Sequence, residues 1–290
     1  MPNLKEIRAR INSVASTEKI TSAMKMVAAA KLKKSESITT NFLPYRDKLS
    51  QALSNYLSSL EETVNMPLAE KRETKRIAIL AFASSSGLCG VYNSNVNKQL
   101  KKTYNEYAKT IGADNIDLYL FGNKLCEYAQ KNEWPTAKSY DGLSEILSYD
   151  KAIEISDQMV QQFLSHRIDQ VVMVYNHFKN AGVQSPTTDI VLPLATDTLQ
   201  PGKSYDYLVE PSKEEFVNTL VPKVIRTRFY SIMLDALTAE HGARMTAMHI
   251  ASDNANALLS DLKIQYNKAR QNVITNELID IVGGAEALTR

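Results

Sequence analysis

Two stretches of this chain contain almost nothing that stops a helix, and they lie at its two ends. Between Pro222 and the Gly283-Gly284 pair there is one glycine, Gly242, and no proline. About sixty residues rising roughly 1.5 Å each make a rod of about 90 Å. Soluble helices of that length normally have a coiled-coil or repeat partner. Ile225, Phe229, Ile232, Ala236, Ala239, Ala243, Ala247 and Ile250 advance in steps of three and four, the period of a helix with one buried seam. Ala239, Ala243, Ala247, Ala251 and Ala255 recur every four residues. Side chains that small predict the close approach of a second helix.

The second helix is available near the start. From Asn3 to Leu43 there is again neither glycine nor proline, and Pro2 stands where a helix start tolerates it. Leu4, Ile7, Ile11, Val14, Thr17, Thr21, Met24, Ala28 and Leu32 predict its seam. Ala23 to Leu32 is apolar on nearly every side apart from Lys25 and Lys31, as expected of a surrounded helix. Pro44 predicts a kink or break, with more helix from Tyr45 to Leu60. If Pro44 and Pro222 mark the paired base, facing residue numbers sum to about 266. The first rod then ends opposite roughly residue 263, and Tyr266 to Val282 projects alone. That segment carries Ala269, Val273, Ile274, Leu278, Ile281 and Val282, so it predicts an enclosure supplied from outside the chain.

Between the rods the pattern changes. Glu61 to Lys75 reads as a charged connector containing Pro67. Ile77 to Ala83 is an apolar run suited to a buried strand, followed by the turn Ser84-Ser85-Ser86-Gly87-Leu88-Cys89-Gly90 and a helix from about Asn93 to Lys109. Ile116 to Phe121 predicts a second strand with a short helix after Gly122. Lys151 to Ser165 predicts a helix, Gln170 to Phe178 a third strand and Thr188 to Leu194 a fourth, and this alternation of strand and helix predicts a small α/β domain of parallel character. The expected fold class is therefore α/β plus a long antiparallel α-helical coiled coil formed by the N- and C-terminal helices, with an inserted Rossmann-like α/β domain. Its expected parts are an N-terminal coiled-coil helix over 1–60, a connector over 61–75, the inserted domain over 76–210 and a C-terminal coiled-coil helix over 211–290.

A formal net charge of +2 is too small to predict a nucleic-acid binder. The first fifty residues hold ten Lys or Arg against four Asp or Glu, an excess of +6 that suits an acidic partner or a solvated face. Cys89 and Cys126 are too few for a disulfide framework and lack metal-ligand spacing. No run approaches 18 apolar residues, so no membrane span is expected. Met1-Pro2-Asn3-Leu4-Lys5-Glu6 has neither a signal core nor transit character. Gly202-Lys203-Ser204 has Asp197 where a phosphate loop needs a glycine, which leaves a surface turn. Gly87-Leu88-Cys89-Gly90 follows a strand and precedes a helix but lacks dinucleotide spacing. His166, His177, His241 and His249 form no metal motif, and His241 and His249 are expected near the rod's packing faces. Nothing supplies Cys89 with a base. Local chemistry alone predicts no catalytic, metal-binding or cofactor-binding residue.

Several motifs carry a resemblance. Leu4-Lys5-Glu6-Ile7-Arg8, the run from Lys19 to Ala29, Gly87-Leu88-Cys89-Gly90 with Asn93, Ala243-Arg244-Met245-Thr246-Ala247-Met248, Ala269-Arg270-Gln271 and the run from Ile274 to Asp280 before Gly283-Gly284-Ala285 resemble the gamma subunits of F-type ATP synthases. The match runs from end to end and is densest at the termini. The resemblance implies a central-stalk rotor of an H+-transporting ATP synthase, turned by the membrane c-ring inside a head of alpha and beta subunits. It implies that chemistry belongs to beta, that an epsilon subunit is a further partner and that gamma supplies torque without catalysis. Carried over by motif, Arg270 and Gln271 reach a loop of beta with Thr275 and Glu277 nearby, while Met24 and Arg244 take positions tied to coupling and are expected across the coil from each other. The family usually has Asp-Arg where Ser85-Ser86 stand, so the resemblance does not carry over a charge contact of that loop, while the turn itself is expected to persist. The implied location is peripheral, most simply on the cytoplasmic face of a bacterial inner membrane, although a mature organellar chain would read the same. Rival readings are a free-standing α/β nucleotide-binding enzyme with helical arms, needing a pocket near Gly87 to Gly90, and a coiled-coil scaffold binding nucleic acid through the basic first rod.

Overall fold

The computed structural model describes residues 4–59, 66–136, 138–140, 148–195 and 213–288. Two helices dominate it, α1 over Leu4–Ser59 and α5 over Lys213–Leu288. Between them lie strands β1 (Ile77–Phe82), β2 (Ile116–Phe121), β3 (Lys138–Tyr140), β4 (Gln170–Asn180) and β5 (Val183–Leu192). Helices α2 (Tyr92–Ile111), α3 (Asn123–Lys131) and α4 (Tyr149–Leu164) connect them. The chain divides into two compact units, Ala28–Arg244 and Met1–Val27 with Met245–Arg290. Gly202-Lys203-Ser204 lies outside the described residues.

The larger unit is built on one sheet of order β3-β2-β1-β4-β5. β1 is buried along its whole length, because it is central and covered on both faces. Its alternate residues face opposite ways. Ala78, Leu80 and Phe82 join α4, the Leu53 and Tyr56 turn of α1 and α5 from Val217 to Ala236. Ile77, Ile79 and Ala81 join Val96, Leu100 and Tyr104 of α2 and Leu125 and Ala129 of α3.

β1, β2, β3 and β4 are parallel, but β5 runs antiparallel to β4, so the sheet is mixed where a parallel one was expected. The cause is a two-residue hairpin, in which Asn180 pairs with Val183 across Ala181-Gly182. The Asn180 side chain accepts the Gly182 amide at 3.0 Å and stabilises that turn. β3 carries no apolar run and was not expected.

Pro44 does not interrupt α1. Packing on both sides overrides the missing hydrogen bond. Phe42 stands edge-on to Tyr230 with centroids 4.9 Å apart, and Arg46 donates to Ser231 at 2.9 Å. α5 likewise runs through Pro222, with Val221, Val224 and Ile225 buried around it.

In the smaller unit both helices bury residues in strict alternation of three and four. On α1 the buried or half-buried series is Leu4, Ile7, Ile11, Val14, Glu18, Thr21 and Lys25, and the same alternation continues along the helix to Tyr56. On α5 it is Met248, Ser252, Ala255, Leu259, Leu262, Tyr266 and Ala269. Thr21 and Ser252 hydrogen-bond through their hydroxyls at 2.8 Å. Their numbers sum to 273, as do those of every pair when the two series are read in opposite directions, from Leu4 with Ala269 to Lys25 with Met248. The expected sum of about 266 is wrong by one heptad, because neither proline marks a base. Leu4, the first described residue of α1, therefore faces Ala269.

The seams are also re-aimed. Thr17 is exposed and Glu18 takes its place, while Ile250 is 56% exposed. Residues spaced by four drift about 40° per step around a helix. Of the alanine series, Ala239, Ala243 and Ala255 are buried but Ala247 and Ala251 only half-buried. Met26 and Val27 stand exposed, against the expectation of a surrounded stretch.

Two outcomes follow from these contacts. Gly122 has φ +103°, and a Cβ there would overlap the Ala83 carbonyl oxygen and lie 2.9 Å from that of Ser84. Gly122→Ala is expected to cost about 3 kcal/mol or more in denaturant unfolding. His241 is buried, and burial, with Lys31 and Arg244 nearby, lowers its pKa to about 4 from 6.5. The unfolded chain binds that proton at a higher pH than the folded one, so stability is complete above pH 6.5 and falls as pH drops towards 4. His241→Gln should flatten this acid limb, which is worth up to about 3 kcal/mol, in unfolding curves taken across that range.

Candidate functional site

The residues singled out by sequence fall at two places. Arg270, Gln271, Thr275 and Glu277 stand on α5 past the position facing Leu4, and all four are exposed. Thr275 donates its hydroxyl to the Gln271 backbone carbonyl at 2.9 Å, a bond within the helix that does not involve the Gln271 side chain. Around them Leu278, Ile281 and Val282 are each more than half exposed. Every side chain from Arg270 to Val282 is exposed, so this segment presents apolar and charged groups on all sides. Met24 lies half-buried on α1 in the same unit.

Arg244 belongs to the other unit and is already engaged. Its Nη1 donates to the Gly87 carbonyl at 2.5 Å and its Nη2 to Glu240 Oε1 at 2.7 Å. The side chains of Arg244 and Glu240 are only 13% and 5% exposed. Glu240 was not singled out from sequence, although an acid four residues before an arginine within an apolar stretch is the signal that finds it.

The loop that Arg244 holds follows β1. Leu88 and Gly90 both adopt left-handed backbone, φ 62° and 60°, and turn the chain sharply around Cys89. Cys89 and Tyr92 are buried against Ala239 and Ala243 of α5. The Tyr92 hydroxyl donates to the Ala236 carbonyl at 2.9 Å, and burial raises its pKa well above 10, so it stays a neutral donor. Asn93 accepts from the Ser84 amide at 3.1 Å and donates to Cys89 Sγ at 3.3 Å. Asn176 donates to the Tyr92 carbonyl at 3.0 Å.

In an open α/β sheet the crevice beyond the carboxyl ends of the strands, where strand order reverses, is the ligand position. Here that place lies between β1 and β4, and α5 lies against the loop that leads out of it. A cleft of about 950 Å³ sits instead at the amino ends of the strands. Its charges are cross-paired, Arg76 with Asp117 at 2.8 Å and Arg72 with Asp169 at 3.4 Å.

Among the histidines, His241 is buried as expected, but His249 is exposed and lies 3.4 Å from Asp253. His177 bonds Asp235 at 2.6 Å, and Asp235 also accepts the Phe178 amide at 3.0 Å, which ties β4 to α5. Among the described residues no helix is long and apolar enough to cross a membrane.

Comparison with known proteins gives a full-length relationship. The family model described as ATP synthase matches residues 3–288. The ATP synthase gamma chain of Christiangramia forsetii is 44% identical over 289 residues, covering 99% of both chains. That of Flavobacterium johnsoniae is 45% identical over 289 residues, again covering 99% of each. Among solved structures, the central stalk and c-ring of Tetrahymena thermophila mitochondrial ATP synthase includes a chain with TM-score 0.59 and 26% identity, covering 80% of this chain and 99% of that one. A chain of Euglena gracilis mitochondrial ATP synthase has TM-score 0.66 at 18% identity, covering 98% of this chain and 94% of that one, a likeness of fold. With its whole length matched in this way, the chain belongs to the ATP synthase gamma-chain family.

Proposed function

We propose that this chain is the central-stalk subunit of an F-type ATP synthase, turning inside the catalytic head and coupling ion flow through the membrane ring to ATP synthesis or hydrolysis on beta. The observation that carries this function is the shared register of α1 and α5, which gives a braced shaft and, among the described residues, pairs no part of α1 with α5 beyond Ala269. The shaft is a left-handed antiparallel coiled coil, since a repeat of 3.5 residues in helices of 3.6 supercoils in that sense. Residues 1–60 and 211–290 form its two arms. Residues 76–210 form an inserted Rossmann-like body joined by the connector over 61–75.

The subunit is non-catalytic and works through its partners, the alpha and beta subunits around the shaft and the epsilon subunit and c-ring at the body. It sits at the cytoplasmic face of a bacterial inner membrane, held there by the complex. Arg270 and Gln271 meet beta, with Thr275 and Glu277 on the next turn, and Met24 and Arg244 serve coupling. A rotor biases beta only by the difference between its contacts in successive states. Small apolar side chains and single charges suit that task better than large anchors, and Tyr266 is the last aromatic residue of the chain.

Replacing Arg270 and Gln271 together by alanine should lower ATP turnover or coupling in the assembled head by about tenfold, the scale of one lost charge-assisted contact. The unfolding curve of the isolated chain should not move, because both side chains are exposed. Full activity and ion pumping in that variant would remove them from the torque path. Deleting residues 266–290 and co-expressing the chain with alpha and beta from the same source should loosen assembly or reduce ATPase. If the complete chain never joins an active head, the rotor function is wrong.

A further inference from the structure

Arg244 directs its guanidinium into its own chain in this conformation. Both terminal nitrogens are engaged within the chain, and the side chain is 13% exposed. We infer that Arg244 is a positioning residue: it acts on coupling by clamping the Ser84–Gly90 loop onto α5, and partners meet the loop it holds rather than the guanidinium itself. The inference rests on the rotor function proposed above and assigns Arg244 a mechanism within it.

Three features of the loop make a clamp necessary. Leu88 is held in left-handed backbone, which costs a non-glycine residue about 1 kcal/mol and persists only when its surroundings fix it. The same residue is 64% exposed, so its own side chain contributes little anchoring, and Val91 beside it is 67% exposed. The loop's inward-facing holds are Ser84, tied to Asn93, and Cys89, buried against α5 next to the carbonyl that Arg244 takes. Arg244 is suited to the task because a guanidinium presents several donors in a fixed fork. One arm holds the loop while the other is fixed by Glu240 one turn earlier on the same helix. Lysine, with a single nitrogen, cannot span Gly87 and Glu240 with the same geometry.

Cys89 is the built-in reporter. It is 2% exposed and sits beneath the loop, while the half-buried Cys126 on α3 gives an internal reference in the same molecule. Maleimide labelling of the isolated full chain should modify Cys89 slowly. In Arg244→Ala it should modify Cys89 about tenfold or more faster, with Cys126 unchanged. Arg244→Lys should give an intermediate rate. Glu240→Gln, which keeps the Gly87 contact and an uncharged acceptor for Nη2, should stay close to the natural chain.

Unchanged Cys89 labelling in Arg244→Ala overturns the clamp, and equal acceleration at Cys126 overturns it too, because that signals general loosening. In the assembled head, Arg244→Ala and Leu88→Ala should lower coupling non-additively, since both act through one loop. Strictly additive effects would mean that Arg244 acts independently of the loop, and would overturn the inference. Failure of the natural chain to join an active head would instead remove the rotor function, and the labelling result on the isolated chain would stand apart from it.

Discussion

The constraint on which this structure depends is the small mismatch between a helix of 3.6 residues per turn and an apolar pattern of 3.5. A straight helix with a strict three-four alternation would carry its seam around its own axis by about 20° every seven residues. Only a partner with the same alternation, wound with it, keeps the seam covered. α1 holds that alternation from Leu4 to Tyr56, and α5 answers it from Met248 to Ala269. The seam is not greasy throughout. Glu18, Thr21, Lys25 and Ser252 occupy it, and the Thr21–Ser252 hydrogen bond is possible in only one register. A slip of one heptad would leave both hydroxyls facing apolar neighbours. Polar groups in a helical seam fix register at some cost in stability, and the position of α1 along α5 matters more to a shaft than its total stability.

α5 serves two purposes in different stretches. Up to Ala243 it is a core helix, with Ile225, Phe229, Ile232 and Ala236 packed on the sheet and Ala239 and Ala243 against the Cys89 loop. Beyond Met245 it buries only one stripe. The alanines mark the change, because a helix backbone can approach a loop closely only where side chains are small. The contact that forms there occupies the position at which related α/β sheets hold a ligand. In the larger unit the loop at the carboxyl end of β1 packs against the long helix instead.

Much of this was legible in the residues. Both rods, four of the five strands and every connecting helix were expected close to where they stand, since glycine and proline are scarce in the first and apolar runs are continuous in the second. The failures have physical causes. Pro44 and Pro222 read as breaks because the hydrogen bond each removes is visible in sequence, while the packing of Phe42, Arg46 and Val221 around them is not. The first half of β5 and its antiparallel direction were missed although Asn180-Ala181-Gly182 carries a turn signal, since the apolar pattern of its strand is weak until Val191. At the candidate sites, the exposure of Arg270 and Gln271 followed from the end of α1. The engagement of Arg244 did not, because its partner on the loop is a backbone carbonyl and no sequence pattern names that.

The end of the brace also gives a mechanical reason for where the proposed contacts lie. Up to Ala269 a torque about the shaft is resisted by two helices interlocked through their side chains. Past that residue only the hydrogen bonds of one helix resist it, and these bonds soften towards Gly283-Gly284, where each glycine costs about 1 kcal/mol relative to alanine. A contact on the last turn would be made by the most compliant part of the rod, and the rod would twist before the partner moved. Arg270 and Gln271 occupy the first positions past the facing pair of Leu4 and Ala269, so they reach outward from the stiffest place at which α5 is, among the described residues, no longer covered by α1. Force applied there passes directly into the double-stranded shaft. Under the proposed function, the exposed Leu278, Ile281 and Val282 offer small non-directional contacts that change little as the helix turns.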